Sequence, residues 1–383
     1  NGQIVKTGFD DPPEVSDQLA CPEGVIEPGR VNAHTHIYSA LAPFGMPAPE
    51  PAPENFVQIL ERVWWRLDRA IDEASLRASA RYYVAKSLLA GTTGLIDHHE
   101  SPGLVTGSLD AIADACAQLG TRALLCYGAT ERNGGLEEGR AGLDECVRFI
   151  RSGETATVRG VIGLHASFTV SDEIVRKTAA LCDEVGRPLH IHLAEDGADV
   201  ADALNRGYAG PLERLIDLGA LPTGSILAHG VHLSEEQVDA ASAAGAWFVQ
   251  NPRSNENNKV GYPAHYARRS NVALGTDGFP ADMREELAAL NRIGAEFGEE
   301  AADLGARART SRTMLASQFG CSLELEPGGR ADLIISQSEH VLHVIVDGNH
   351  VVRHGQLVNG DIGEIEELAR AEAKSLWHRM NLL

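Results

Sequence analysis

Two histidines, His34 and His36, sit two residues apart in the run Val31-Asn32-Ala33-His34-Thr35-His36-Ile37. Side chains alternate faces along a β-strand, so this spacing sends both imidazoles toward one point where a metal ion could hold them. The pair is weak evidence alone: with 15 His in 383 residues, about one such pair arises by chance. Other metal-ligating side chains, however, close other apolar runs. His192 ends Leu189-His190-Ile191-His192, His229 ends Ile226-Leu227-Ala228-His229, and Asp277 ends Val272-Ala273-Leu274-Gly275-Thr276-Asp277. Neutral imidazoles and one carboxylate can hold a divalent ion and still leave a position for water. His34, His36, His192 and Asp277 can supply that set.

Metal-assisted hydrolysis also needs a group that moves protons to a leaving nitrogen. Glu195, three residues after His192, lies where a strand passes into its loop and suits that task. His229 would face the bound water, orienting it or stabilising charge on the attacked carbon. Asp277 could double as the first base. Each residue has a plainer alternative. A strand His can be a satisfied core residue, Glu195 can be the acid that favours the next helix's N-terminus, and Asp277 beside Gly275 and Gly278 can be a turn residue.

The elements that would position these groups are short apolar runs alternating with longer helical patterns, the mark of a parallel sheet built from βα units. Eight such runs cover 29–34, 92–98, 122–127, 160–165, 188–192, 225–229, 247–251 and 272–277. Amphipathic segments between them include 54–90, 108–119, 172–185, 234–244 and 282–319. Ser171-Asp172-Glu173 and Ser234-Glu235-Glu236 place a capping side chain before acidic residues. Eight strands each followed by a helix suggest an α/β fold of the (β/α)8 TIM barrel type, whose active site lies at the C-terminal strand ends. Every candidate ligand falls at such an end.

The remainder reads differently. Ala331–Ile335, Val341–Val346, an Asp347-Gly348-Asn349 turn and Val351-Val352 form short strands with a hairpin, which residues 2–8 are expected to join. The expected organisation is a small β-sandwich from residues 1–28 and 325–360, a barrel over 29–324 and a C-terminal helix over 361–383. The Pro-rich stretch 43–53 reads as a loop after the first strand and a candidate lid.

Composition bounds the partners. There are 33 basic against 54 acidic residues, a net charge of −21, which argues against nucleic acid or an anionic membrane. Six cysteines (Cys21, Cys116, Cys126, Cys146, Cys182, Cys321) form no C-x-x-C pair and suit reduced, buried thiols. No run of about 18 apolar residues occurs, and the start carries no basic-then-apolar segment. No membrane partner and a cytoplasmic location are therefore expected.

Pro28-Gly29-Arg30-Val31-Asn32-Ala33-His34-Thr35-His36 resembles the first-strand signature of the amidohydrolase superfamily. His192-Leu193-Ala194-Glu195, Ala228-His229-Gly230, Asn251-Pro252-Arg253-Ser254-Asn255 and Leu274-Gly275-Thr276-Asp277 resemble its cytosine deaminase and chlorohydrolase-like branch. More narrowly, Trp64-Trp65-Arg66-Leu67-Asp68, Ile96-Asp97-His98-His99-Glu100-Ser101-Pro102, Glu131-Arg132-Asn133 and Asn257-Asn258-Lys259-Val260-Gly261-Tyr262 are similar to the SsnA group of aminohydrolases.

The resemblance implies a distorted (β/α)8 barrel with one divalent ion, zinc or in some members iron. It assigns His34, His36, His192 and Asp277 to the metal, Glu195 to proton shuttling and His229 to the nucleophilic water. Gly163-Leu164-His165-Ala166-Ser167 offers no lysine for the carbamylated bridge of dinuclear relatives, which favours one metal and deamination over cyclic amide opening. Superfamily analogy also implies a homodimer or larger homo-oligomer. Two departures stand out: few residues precede the His-x-His motif, and the segment 336–341 is short.

Candidate substrate contacts come from the same strand ends: His98, Arg132, His165, Arg253 and Asn255. Two arginines near a barrel mouth could clamp an anionic group, or else pair with the many surface acids. Asn255 could bond a ring substituent or stabilise a turn. Of Trp64 and Trp65, adjacent on a helix, one could wall a heterocycle while the other joins the core. The leading function is hydrolytic deamination of a small purine-, pterin- or pyrimidine-like heterocycle with release of ammonia. The alternatives are a chlorohydrolase or cyclic amide hydrolase, and a catalytically silent metal-binding accessory protein.

Overall fold

The computed structural model describes residues 2–8 and 18–383. Parallel strands follow the chain: β1 (Val25–Pro28) belongs to a separate sheet, and then come β2 (Arg30–Thr35), β3 (Thr92–His99), β4 (Arg122–Tyr127), β5 (Val158–Gly160) and β6 (Ile162–Ala166). They continue as β7 (Leu189–Leu193), β8 (Ile226–His229), β9 (Trp247–Gln250) and β10 (Val272–Leu274). Strands β2-β3-β4-β5 make one parallel arc and β6-β7-β8-β9-β10 the other, with β5 and β6 separated only by Val161. Helices cover their outer faces, so strands such as β3 and β4 are buried along their whole length. The eight expected strand runs are all present.

The two arcs meet at two seams rather than in an unbroken ladder, which is the distortion of the barrel. At one, Ala129 bridges Leu164; at the other, Thr35 bridges Asp277. A glycine sits at each. A Cβ on Gly163 would lie 2.3 Å from the Tyr127 carbonyl oxygen, and one on Gly275 would lie 2.8 Å from both the backbone N and O of His34. Backbones approach this closely only where no side chain intervenes. The second seam matters for chemistry, because it brings the end of β10 against the His-x-His strand.

The antiparallel sheet comprises β1 and β11 (Leu333–Gln337), β12 (His340–Val346), β13 (Asn349–Arg353) and β14 (Gln356–Leu357), in the order β1-β11-β12-β13-β14. The expectation of a sandwich resolves, among the described residues, into this single five-stranded sheet. The segment 2–8 adds one antiparallel bridge, Gln3 to Arg330, instead of a strand, and residues 9–17 of the expected small domain lie outside the described residues. Arg122 on β4 ties the sheet to the barrel through a buried two-point pair with Asp332, Nε to Oδ2 at 2.7 Å and Nη2 to Oδ1 at 3.0 Å.

Two long helical expectations break. The segment 54–90 divides into Phe56–Ile59, a π-helical turn Leu60–Trp64, Trp65–Ala70 and Glu73–Leu89. Asp72 starts the last of these, accepting from Ser75 N at 2.9 Å while the Ser75 hydroxyl returns to the Asp72 backbone. The segment 282–319 divides into Met283–Glu296 and Ala301–Phe319. The C-terminal helix Ile362–Asn381 docks on the first of these regions, Arg379 donating to the Ala70 carbonyl and Trp377 to that of Phe44.

Candidate active site

The strand ends bring several of the candidate side chains close together. His36 Nε2 lies 2.8 Å from Asp277 Oδ1 and 3.1 Å from His192 Nε2, while His34 Nε2 lies 3.4 Å from Asp277 Oδ1. Ligand atoms of His34, His192, His229 and Asp277 fall within 4.8 Å of one another, and His36 falls in a second such set, with His98 and His192. All these residues are buried.

Their hydrogen bonds fix which nitrogens face inward. His36 Nδ1 lies 2.6 Å from the His98 carbonyl, and His192 Nδ1 lies 2.6 Å from that of His165. A carbonyl only accepts, so both Nδ1 atoms carry the proton and both Nε2 atoms present lone pairs in the neutral tautomer. Two lone pairs 3.1 Å apart repel unless a proton or a metal ion lies between them. The donor set, two inward imidazole nitrogens beside a carboxylate, fits a metal ion that would take the place of that proton, with outer bonds of the kind that orient histidine ligands.

His34 adds a relay: its Nδ1 meets His190 Nε2 at 2.9 Å, and His190 Nδ1 meets Cys126 Sγ at 3.6 Å. Protons running from His34 to His190 to the sulfur leave His34 Nε2 as a lone pair, and that atom has no hydrogen-bond partner. The Asp277 carboxylate is anchored by Ser254 Oγ. His190 was not singled out in the sequence, although it stands two residues before His192 and shares its face by the same alternation as His34 and His36.

Electrostatics match this arrangement. Burial lowers the His34 imidazole to about 3 and holds His192 well below its ordinary value. Burial also opposes charge on His36, but Asp277 outweighs it and raises His36 to about 9. Asp277 is correspondingly held well below the carboxylate range by His34 and His36 despite its burial. Without a cation, the pocket thus keeps a proton between His36 and Asp277.

Glu195 lies beside His229, Oε2 to Nε2 at 3.6 Å, and receives Asn258 Nδ2 at 3.4 Å. Burial raises its carboxyl to about 7, against the pull of His229. At three separate strand ends of the site, Ala194, His229 and Asp277 have positive φ, at 50°, 72° and 54°. Non-glycine residues in that region store strain and cluster at functional sites. His229 Nδ1 donates to Asn255 Oδ1 at 2.8 Å.

The cluster floors a cavity of about 620 Å³, counting space open to solvent. Trp64, Phe56, Leu60 and Phe168 supply an apolar wall, and Tyr38, Glu100, His165, Glu195 and Asn258 supply polar groups. Trp64 is the cavity aromatic, packing against Gly278, while Trp65 lies under the Arg132 guanidinium at 4.7 Å. The Pro-rich loop contributes Met46 and Pro53 to an outer groove that shares Phe56, Trp64, Asp196 and Asn258 with the cavity.

The substrate candidates divide. His165 lines the cavity, whereas Asn255 holds His229. His98 donates from Nε2 to the Leu164 carbonyl at 3.0 Å and lies behind the ligands. Arg132 is spent on Asp68 and Glu100, both at 2.9 Å, and Arg253 on Glu286, Glu285 and the Pro280 carbonyl. Neither guanidinium lines the cavity; both are turned onto carboxylates from other elements. Glu100, brought in by the strand that carries His98, is the acid that sequence reasoning overlooked.

Residues 25–351 match the amidohydrolase family model. The chain belongs to the amidohydrolase family. Among its relatives, the 5'-deoxyadenosine deaminase of Methanopyrus kandleri is 28% identical over 386 residues, covering 92% of this chain and 86% of its own. The 8-oxoguanine deaminase of Pseudomonas aeruginosa is 29% identical over 347 residues, covering 84% and 76%. A solved structure of an adenosine deaminase from Xanthomonas campestris with bound zinc superposes with a TM-score of 0.79 at 22% identity, covering 94% of this chain and 87% of its own. That last likeness establishes the shared fold.

Proposed function

We propose that this amidohydrolase is an aminohydrolase that uses one divalent metal, zinc, to deaminate a small nitrogen heterocycle of purine-, pterin- or pyrimidine-like type. The observation that carries this reading is the pair of inward lone pairs on His36 and His192 beside Asp277, with Glu195 standing next to them. Relatives named as deaminases of purine-type compounds support it. In this reading His34, His36, His192 and Asp277 hold the ion, which when bound supplies Lewis acidity and a water acidified toward neutral pH.

The remaining steps fall to the chain's own groups. Glu195, with its carboxyl near 7, exists in both protonation states around neutrality, as a group that takes and returns a proton must. It carries the proton from the attacking water to the ring nitrogen. His229, fixed by Asn255, keeps Nε2 toward that water, and Asp277, the nearby base, takes the second proton of the water. That proton passes to the amino group, whose bond to the ring carbon then breaks, and it leaves as ammonia. Trp64 and Phe168 hold the flat ring, and the enclosed wall limits competing water.

The six cysteines are unpaired, which suits a reducing, cytoplasmic setting. No helix among the described residues is long and apolar enough to cross a membrane. The reading is tested by Glu195→Gln, scored for both metal and turnover. It predicts about one zinc per chain retained and turnover lowered by about 10²–10⁴-fold, the usual worth of a general acid–base group. Loss of the metal together with activity would remove Glu195 from the proton role.

A further inference from the structure

A second buried carboxylate lining the cavity has no part in the proposed chemistry. Glu100 is 3% exposed and lines the cavity at the end of β3. Its Oε2 accepts from Arg132 Nη2 at 2.9 Å, but its Oε1 accepts no hydrogen bond. His98 Nδ1 lies 3.5 Å and His165 Nε2 3.6 Å from Oε1. His98 has its proton on Nε2, committed to Leu164, so in the neutral ring its Nδ1 is another acceptor. An acceptor buried without a donor costs free energy, and such a group calls for a partner that arrives from elsewhere.

The charge beside it is secured. Burial works against an ionised Glu100, but His165 and Arg132 outweigh it and keep the group below its ordinary range. Asp68, which shares the same arginine, is raised by burial to about 7 and is the acid nearer neutrality. Arg132 therefore holds Oε2 in place and leaves Oε1 as the free acceptor.

We infer that Glu100 is a specificity-determining residue whose Oε1 accepts a hydrogen bond from a ring N–H of the substrate. The inference rests on the aminohydrolase reading and narrows its substrate class to heterocycles with an unsubstituted ring N–H. A pocket built to bond an N–H rejects the analogue lacking it far more strongly than an apolar pocket rejects a change of shape. Glu100→Gln tests this sharply. Arg132 Nη2 requires the amide oxygen on its own side, so the amide NH2 would face the cavity and convert an acceptor into a donor with almost no change in volume.

The experiment compares zinc-loaded wild type and E100Q on matched pairs: cytosine with 1-methylcytosine, adenine with 9-methyladenine, and guanine with 9-methylguanine. Ammonia release and calorimetric binding are both read, with zinc content measured on each protein. Wild type should favour the N–H member of at least one pair by tenfold or more. E100Q should bring that ratio to within about threefold or invert it, with zinc unchanged. A purely steric preference would survive in E100Q, as would one in which Glu100 merely holds Arg132.

An unchanged ratio, equal treatment of both members by wild type, or zinc lost from E100Q would each overturn the inference, the last by making Glu100 a ligand. If E100Q does not fold, E100D keeps a charge for Arg132 but withdraws the oxygen, and the ratio should shrink there too. Selective binding without ammonia would sink the aminohydrolase reading and leave the role of Glu100 standing. Neither binding nor turnover of any pair would end both.

Discussion

Gly275→Ala should loosen the metal site from outside it. Gly275 does not have a positive φ, so alanine is acceptable to its backbone; the space is not. The added Cβ would sit 2.8 Å from His34 N and O and 2.6 Å from Asn251 Oδ1. An ordinary contact begins near 3.4 Å, so the His34 backbone must retreat by about 0.6 Å. It cannot do so freely, since the His34 carbonyl already accepts from Thr276 N at 3.0 Å and Asp277 N at 2.9 Å.

Ligand distances in a metal site tolerate only about 0.2 Å, so a shift of that size should weaken zinc by about 10–100-fold, as other distortions of supporting structure do. The overpacking itself should cost about 1–3 kcal/mol of stability. Zinc affinity would be measured by competition with a chromogenic chelator, and stability by urea melts with and without metal. Gly305→Ala is the control: nothing lies within 4 Å of its Cβ, and in the middle of a helix it should add about 0.5–1 kcal/mol with zinc affinity unchanged. Wild-type zinc affinity in G275A would refute the idea that this seam sets the position of His34.

Zinc binding should itself release a proton. His36 is protonated below about 9 when no cation is present, so at pH 7.5 the ion must displace about one proton from it. Apparent affinity should accordingly rise about tenfold per pH unit up to about pH 9, visible as a buffer-dependent heat in calorimetry; a pH-independent affinity would contradict this. Arg132→Met should cost about 3–5 kcal/mol, because it strands two buried carboxylates, Asp68 and Glu100. Unpaired, both would bind protons more tightly in the folded than in the unfolded chain, so the loss should grow from pH 6 to pH 8 in urea melts. An equal loss at the two pH values would show that the carboxylates find another partner.

The sequence made the barrel legible because its strands are buried on both faces and end at polar residues; β4 and the helix Ser108–Leu119 match the expected bounds to the residue. The ligand cluster was legible for the same reason, alternation along a strand. What stayed hidden depends on contacts between distant segments. Nothing local to Arg132 says that Asp68 and Glu100 will meet it, and nothing local to Arg253 says that Glu286 will. The break near Phe297–Glu300 was masked by amphipathic pattern continuing on both sides, with Gly298 at φ 76° its one local sign. The break at Asp72 was signalled by an Asp-x-x-Ser capping pair that went unread in a long helical run.

Ammonia release tests the central claim most directly. The protein would be stripped with a chelator, reloaded with one equivalent of zinc per chain, and both forms assayed against a panel of amino-substituted purines, pterins and pyrimidines. The account predicts ammonia formed in step with loss of one panel member, by the zinc-loaded form only. Equal release by the stripped protein would contradict the metal's role, and chloride or a ring-opened product from a suitable substrate, with no ammonia from any heterocycle, would contradict the aminohydrolase assignment.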